Sequence, residues 1–246
     1  MKYVTALLER LWGLYAWVVF LIVVLFSLLV VTIVPGLPAR RWLTAAAAKA
    51  AFLLSGVPVD VNGLEALPDG HCVVVANHAS YVDGPLLRAV LPPRFSFVIK
   101  GEMRDIPIVH FLLRRAGSRF VERFTAAGSA RDARQIVKAA QGGQSLAFFP
   151  EGTFDEQTGL GRFRPGAFVA ATRGEMPVVP IAISGTRHMM PSGRWLPRPC
   201  RLGIDILAPI SPHDPTFVDH RSLAADARAR ILRILDEPDL LENNED

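Results

Sequence analysis

Two residues of this chain are best suited to moving a proton: His78 and Asp83, an imidazole and a carboxylate four intervening residues apart in Asn77-His78-Ala79-Ser80-Tyr81-Val82-Asp83. Histidine titrates near neutrality, so it can take a proton from an alcohol and return it to a leaving group, and a nearby carboxylate would hold its ring in one tautomer. Five positions on a regular helix turn a side chain by about 500°, off any common face, so the pair meets only across a strand-to-helix turn. The sequence supplies one. Residues 71–76 read as a buried strand and Gly84-Pro85-Leu86-Leu87 as the first turn of a helix, with His78 on the loop between. A plainer role also fits, because Ser80 and Asp83 match a Ser-x-x-Asp capping box in which the carboxylate only satisfies backbone donors. A second apolar run, Leu146-Ala147-Phe148-Phe149-Pro150, leads into Glu151-Gly152-Thr153 and sets a carboxylate, a flexible glycine and a hydroxyl at another strand end. Open α/β sheets bind ligands at such ends.

Together these blocks resemble the glycerolipid acyltransferase family typified by 1-acylglycerol-3-phosphate acyltransferase. Two further blocks follow the family's order. Gly117-Ser118-Arg119-Phe120-Val121-Glu122-Arg123 is similar to its acceptor-binding block, and Val178-Val179-Pro180-Ile181-Ala182-Ile183-Ser184-Gly185 to its late apolar block. The resemblance covers residues 60–210. It implies acyl transfer from an acyl-CoA or acyl-ACP thioester to the free hydroxyl of a lysophospholipid, giving phosphatidic acid where the acceptor is 1-acyl-sn-glycerol-3-phosphate. His78 would be the general base, Asp83 its partner, and Glu151, Gly152 and Thr153 would bind the acceptor. A thiol with a pKa near 8.5 leaves as thiolate without a covalent acyl-enzyme, in keeping with the lack of an evident serine nucleophile. Where many members carry a basic residue linked to phosphate binding, directly after the Glu-Gly-Thr triplet, this chain has Phe154. Phosphate would then fall to Arg123, Arg162, Arg164 or Lys100, the last in Phe97-Val98-Ile99-Lys100-Gly101-Glu102, a setting similar to a family lysine position. Each of these cations singly also fits a solvated or membrane-facing surface. A lyso-aminolipid or another lysophospholipid stays open as acceptor, and a thioester hydrolase or a non-catalytic membrane tether as alternative activities.

Residues 11–34 contain no charge, and 24 helical residues reach about 36 Å, enough to cross a hydrocarbon layer of roughly 30 Å. A signal peptide has a shorter apolar region, of about 7–15 residues, although Ala45 to Ala48 offer small residues downstream. Pro35-Gly36-Leu37-Pro38 interrupts the helix, and Arg40-Arg41-Trp42 opens a second apolar stretch to Leu54, broken by Lys49, so residues 1–56 read as a membrane helical hairpin. The charges flanking the first helix nearly balance, which leaves spanning and one-leaflet insertion both open. The resemblance implies a two-helix membrane seat with the catalytic domain on the cytoplasmic face.

The formal charge of +4 understates the basic body, since residues 237–246 form a tail with five acidic residues and no basic one. Between Arg88 and Lys138 stand eleven Lys or Arg against four Asp or Glu, which suits anionic headgroups of membrane phospholipids and the phosphates of a thioester carrier. Nucleic acid is disfavoured because aromatic residues do not interleave with the charges. Cys72 and Cys200 match no metal or redox spacing and read as reduced thiols, and the remaining histidines show no ligand spacing, so neither metal nor cofactor is expected. A P-loop and a Gly-x-Ser-x-Gly elbow are both lacking. Strands are predicted at 57–61, 71–76, 95–100, 120–122, 145–149, 178–184 and 201–206, and helices at 128–141 and 222–235, with 185–199 a surface loop touching the membrane. Alternating strands and helices predict an α/β domain over residues 57–236, a mixed β-sheet flanked by helices, behind the N-terminal hairpin.

Overall fold

The computed structural model describes residues 2–122, 126–154 and 156–241. Within these, seven strands form one sheet: β1 (Val59–Asn62), β2 (Val73–Ala76), β3 (Ser96–Lys100), β4 (Arg119–Val121), β5 (Leu146–Phe148), β6 (Val178–Ser184) and β7 (Leu202–Ile206). Their order is β1-β7-β6-β2-β5-β3-β4. All pairings are parallel except β6 with β7, so the sheet is mixed as expected. Each predicted strand is present, with its ends within two residues of those expected.

The central strands are buried on both faces and carry Val and Ile without a polar alternation. Their side chains still divide by the two-residue period. Val73, Val75, Leu146, Phe148 and Val178 face one core, while Val74, Ala76, Ala147, Val179 and Ile181 face the other. Chain direction decides which helix covers which face. From β2 the chain steps through α3 (Asp83–Val90) to β3 and through α4 (Pro107–Arg115) to β4; it returns through α5 (Ala126–Gln141) to β5 and α6 (Gly166–Gly174) to β6. Right-handed crossovers put helices on opposite faces when the stepping direction reverses. Leu86 and Leu87 of α3 accordingly join the Val74 core, while Ile136 of α5 and Ala167 and Phe168 of α6 join the Val73 core. The reversal falls at β2 and β5, whose C-terminal ends carry His78 and Glu151.

The expected loop 185–199 contains a short helix, α7 (Thr186–Met189), and leads to β7 without crossing the sheet, hence the antiparallel pair. The last helix, α8 (His220–Leu232), begins two residues before its predicted start because Asp219 caps it, accepting hydrogen bonds from Arg221 N and Ser222 N.

Ahead of the sheet, α1 (Lys2–Ile33) and α2 (Leu37–Leu54) run antiparallel, with Trp12 Nε1 donating to Ser55 O and Tyr15 Oη to Leu54 O. Among the described residues only α1 is long and apolar enough to cross a membrane. The predicted membrane hairpin therefore resolves into one such helix and a second that docks on the α/β domain. Arg41 at the start of α2 is the reason: its guanidinium donates to Arg94 O, Ala116 O, Gly117 O and the Ser96 hydroxyl, an anchorage only folded protein offers. The acidic segment after residue 236 is also fixed where it is described, Glu237 pairing with Arg187 and Asp239 with Arg228.

Candidate active site

His78 sits on the loop that leaves β2, and Asn77 decides how that loop leaves. Its side-chain amide donates to Ile183 O at 2.9 Å and its carbonyl oxygen accepts from Ile183 N at 2.7 Å, so a side chain continues the ladder on β6 after the backbone of β2 has turned away. The turn ends in α3, whose first residue is Asp83. Asp83 is fully buried, and its Oδ2 accepts from His78 Nδ1 at 2.8 Å, Ala79 N at 2.7 Å and Ser80 N at 2.8 Å. The two roles considered for this carboxylate coexist on one oxygen: it organises the loop's backbone and orients the imidazole. Ser80 completes the turn by donating to Met190 O and accepting from Val82 N.

With Nδ1 engaged, Nε2 is the nitrogen left for a reacting alcohol, and the His78 side chain keeps 19% of its surface exposed. The ring stacks on Phe149, centroids 4.2 Å apart and planes 18° from parallel, and meets Phe154 edge-on at 4.6 Å. Phe154 in turn contacts Tyr81 at 4.8 Å. The residue that stands where a cation was expected thus forms part of an aromatic wall around the imidazole.

Glu151, expected to bind the acceptor, bonds main-chain groups through both of its oxygens. Its Oε1 accepts from His78 N at 2.7 Å and its Oε2 from Gly161 N at 2.9 Å, so the carboxylate ties the histidine loop to the 159–161 turn. Burial pushes the Glu151 carboxyl above the ordinary range, and the two main-chain N–H bonds together with His78 and Arg187 partly offset this. Gly152 follows at φ +82°, a backbone that favours glycine, and turns Thr153 out into solvent. Lys100 ends β3, one strand beyond β5, and makes no ion pair among the described residues. Arg162 and Arg164 are exposed, Arg164 bonding Glu151 O through its guanidinium. Arg123, the remaining expected phosphate contact, lies outside the described residues. Upstream of it, Ser118, Arg119 and Phe120 line a cleft of about 290 Å³ with Arg104, His110 and Arg114 at the β4 edge.

Sequence reading missed Asn77 and Gly161 as parts of the site. Adjacency to His78 was the signal for the first. Nothing local marked the second, since the contact joins residues ten apart through a side chain.

The model of the family described as Acyltransferase matches residues 58–184, just over half the chain. A 1-acyl-sn-glycerol-3-phosphate acyltransferase of Brassica napus chloroplasts is 35% identical over 136 residues, which cover 54% of this chain and 39% of that protein. A lyso-ornithine lipid O-acyltransferase of Pseudomonas aeruginosa is 32% identical, with 58% of this chain and 55% of that one covered. The chain thus spans between about two fifths and just over half the length of these curated relatives. The crystal structure of a 1-acyl-sn-glycerophosphate acyltransferase, PlsC, from Thermotoga maritima superposes with a TM-score of 0.77 at 25% identity, covering 93% of this chain and 95% of that one.

Proposed function

The chain belongs to the acyltransferase family, and we propose that it moves a fatty acyl group from acyl-CoA or acyl-ACP to the hydroxyl of a lysolipid, 1-acyl-sn-glycerol-3-phosphate being the first acceptor to consider. The observation that carries this reading is the 2.8 Å contact between His78 Nδ1 and the buried Asp83 carboxylate at the sheet's switch point. In the proposed step Nε2 takes the proton of the acceptor hydroxyl as its oxygen attacks the thioester carbonyl. The C–S bond then breaks, and the imidazolium, stabilised by Asp83, returns the proton to the departing thiolate. Proton and leaving group balance without a covalent enzyme intermediate. Lys100, Arg123 and the Thr153 hydroxyl are proposed acceptor contacts, while the Glu151 geometry supports a positioning role for that residue.

A second reading has its own support. Phe154 packs against His78, and Tyr81 against Phe154, where a phosphate-binding cation would be expected, and one relative acts on a lyso-ornithine lipid, whose name specifies no phosphate. Aromatic faces attract ammonium groups. Assays of wild type and His78→Ala on both acceptors, with CoA and ACP donors, test the chemistry: the variant should lose about 10²- to 10⁴-fold in rate while staying folded. Retention of most activity on every acceptor would remove the imidazole from the mechanism. Free fatty acid released equally with and without acceptor would favour hydrolysis. Phe154→Arg separates the acceptors, with an expected shift of about tenfold in relative kcat/KM towards the phosphate-bearing lipid.

The geometry of α1 supports a monotopic seat in one leaflet, which we propose is the cytoplasmic one. Trp17 Nε1 donates to Trp195 O, and fourteen residues later Val31 O accepts from Arg115 Nε, so about 21 Å of the helix lies along the α/β domain. A helix docked along such a length does not stand upright across a bilayer unless it draws the domain in with it. Its outer stripe of Leu11, Leu14, Val18, Leu21, Leu25 and Leu29 is exposed and would enter the lipid.

A further inference from the structure

Residues 237–240 have no part in the chemistry above, yet they are bonded to a turn that does. Leu160 N donates to Pro238 O at 2.9 Å and Leu240 N to Leu160 O at 3.3 Å, a parallel bridge between this segment and the 159–161 turn. The fit is close: a Cβ on Gly159 would lie 2.7 Å from the Leu240 side chain and from Pro238 O. Two arginines hold the segment and the turn together. Arg187 pairs with Glu237 and donates to Gln157 O and Gly159 O. Arg228, a buried residue of α8, donates to Gly161 O at 2.9 Å, Leu160 O at 2.6 Å and the Asp239 carboxylate at 2.9 Å. The other side of the same turn, Gly161 N, holds Glu151 Oε2, and Glu151 Oε1 holds His78 N.

We infer that residues 237–240 are a strap that positions the reacting histidine: Asp239 and Arg228 fix the 159–161 turn, the turn fixes Glu151, and Glu151 fixes the main chain of His78. Arg228 and Asp239 touch no substrate and act as positioning residues. A buried guanidinium needs its carboxylate, and without Asp239 it would have to turn from the Leu160 and Gly161 carbonyls towards water. The strap lies beyond residues 58–184, the part of the chain that the family model matches.

The kinetic consequence rests on the proposed acyl transfer, and the positional one does not, so the two are read separately. Full-length Asp239→Asn and Arg228→Gln are compared with wild type and with Arg230→Gln, which breaks an ion pair on the same helix but bonds nothing in the turn. Hydrogen exchange at residues 77–80 should quicken by about tenfold in the two strap variants, with no change in the control or at residues 178–184. Their kcat should fall with KM for thioester and lysolipid nearly constant, and the loss should vanish in a Glu151→Gln background, the mark of action through one carboxylate. Unchanged exchange at 77–80 in Asp239→Asn overturns the inference, and so does the same loss of kcat with and without Glu151. Asp239→Asn decides alone if Arg228→Gln does not fold. Quickened exchange in a protein that transfers no acyl group would sustain the strap and sink the acyl-transfer reading.

Discussion

Glu151 carries a cost of ionisation that can be measured. Its carboxyl is raised above 4.5 in the fold, chiefly by burial, so the native state resists losing that proton while the unfolded chain loses it freely. The sign follows. The protonated carboxyl's contribution is fully present below about pH 4.5 and is lost as pH rises through the higher folded value. Glu151→Gln does not titrate, so thermal unfolding across this window should show the wild type losing stability relative to the variant as pH increases. A difference constant with pH would contradict the burial argument. The variant should also be slower, because a neutral amide cannot accept from both His78 N and Gly161 N. Cys72 shows the same physics without a function: burial pushes its thiol to about 11, Arg94 opposing weakly, so it should resist maleimide at pH 8 in the folded protein.

At the scale of elements, the site depends on one strand being replaced by one side chain. β2 ends at Ala76, β6 continues to Ser184, and the Asn77 amide bridges the gap by pairing both backbone groups of Ile183. Asn77→Ala should destabilise the protein by about 2–4 kcal/mol in chemical denaturation, because it strands a buried N–H and a buried C=O where water does not replace them. Activity should fall as well, since the loop leaving β2 sets where His78 meets Asp83. Asn77→Asp keeps the acceptor and loses the donor, and should fall between the two; an Ala variant as stable as wild type would deny the side chain its role in the ladder.

The molecule as a whole is a two-faced sheet with an apolar helix laid along one side. Its orientation towards lipid can be read with a fluorophore on single cysteines in α1, after removal of Cys200. At Leu14, Leu21 and Leu29 the probe should report similar shallow depths by lipid-borne quenchers, as for a helix lying in one leaflet. A progression from one headgroup region through the bilayer centre to the other would show a spanning helix instead.

Much of this was legible in the residues themselves. Strand runs, their alternation with helices, the apolar stretch at the amino terminus and the spacing of His78 and Asp83 are local signals, because the periodicity of burial and the reach of a short turn are local physics. Packing decided the rest. Whether Asp83 served the backbone or the imidazole depended on how the loop closed, and one oxygen does both. Glu151 was legible as a carboxylate at a strand end, but its bond to Gly161 was not, and neither were the ion pairs of the acidic segment after residue 236 with Arg187 and Arg228. These last contacts join residues from 10 to 50 positions apart. A partner's charge and direction at such distances belong to the folded chain and leave no period or motif to read.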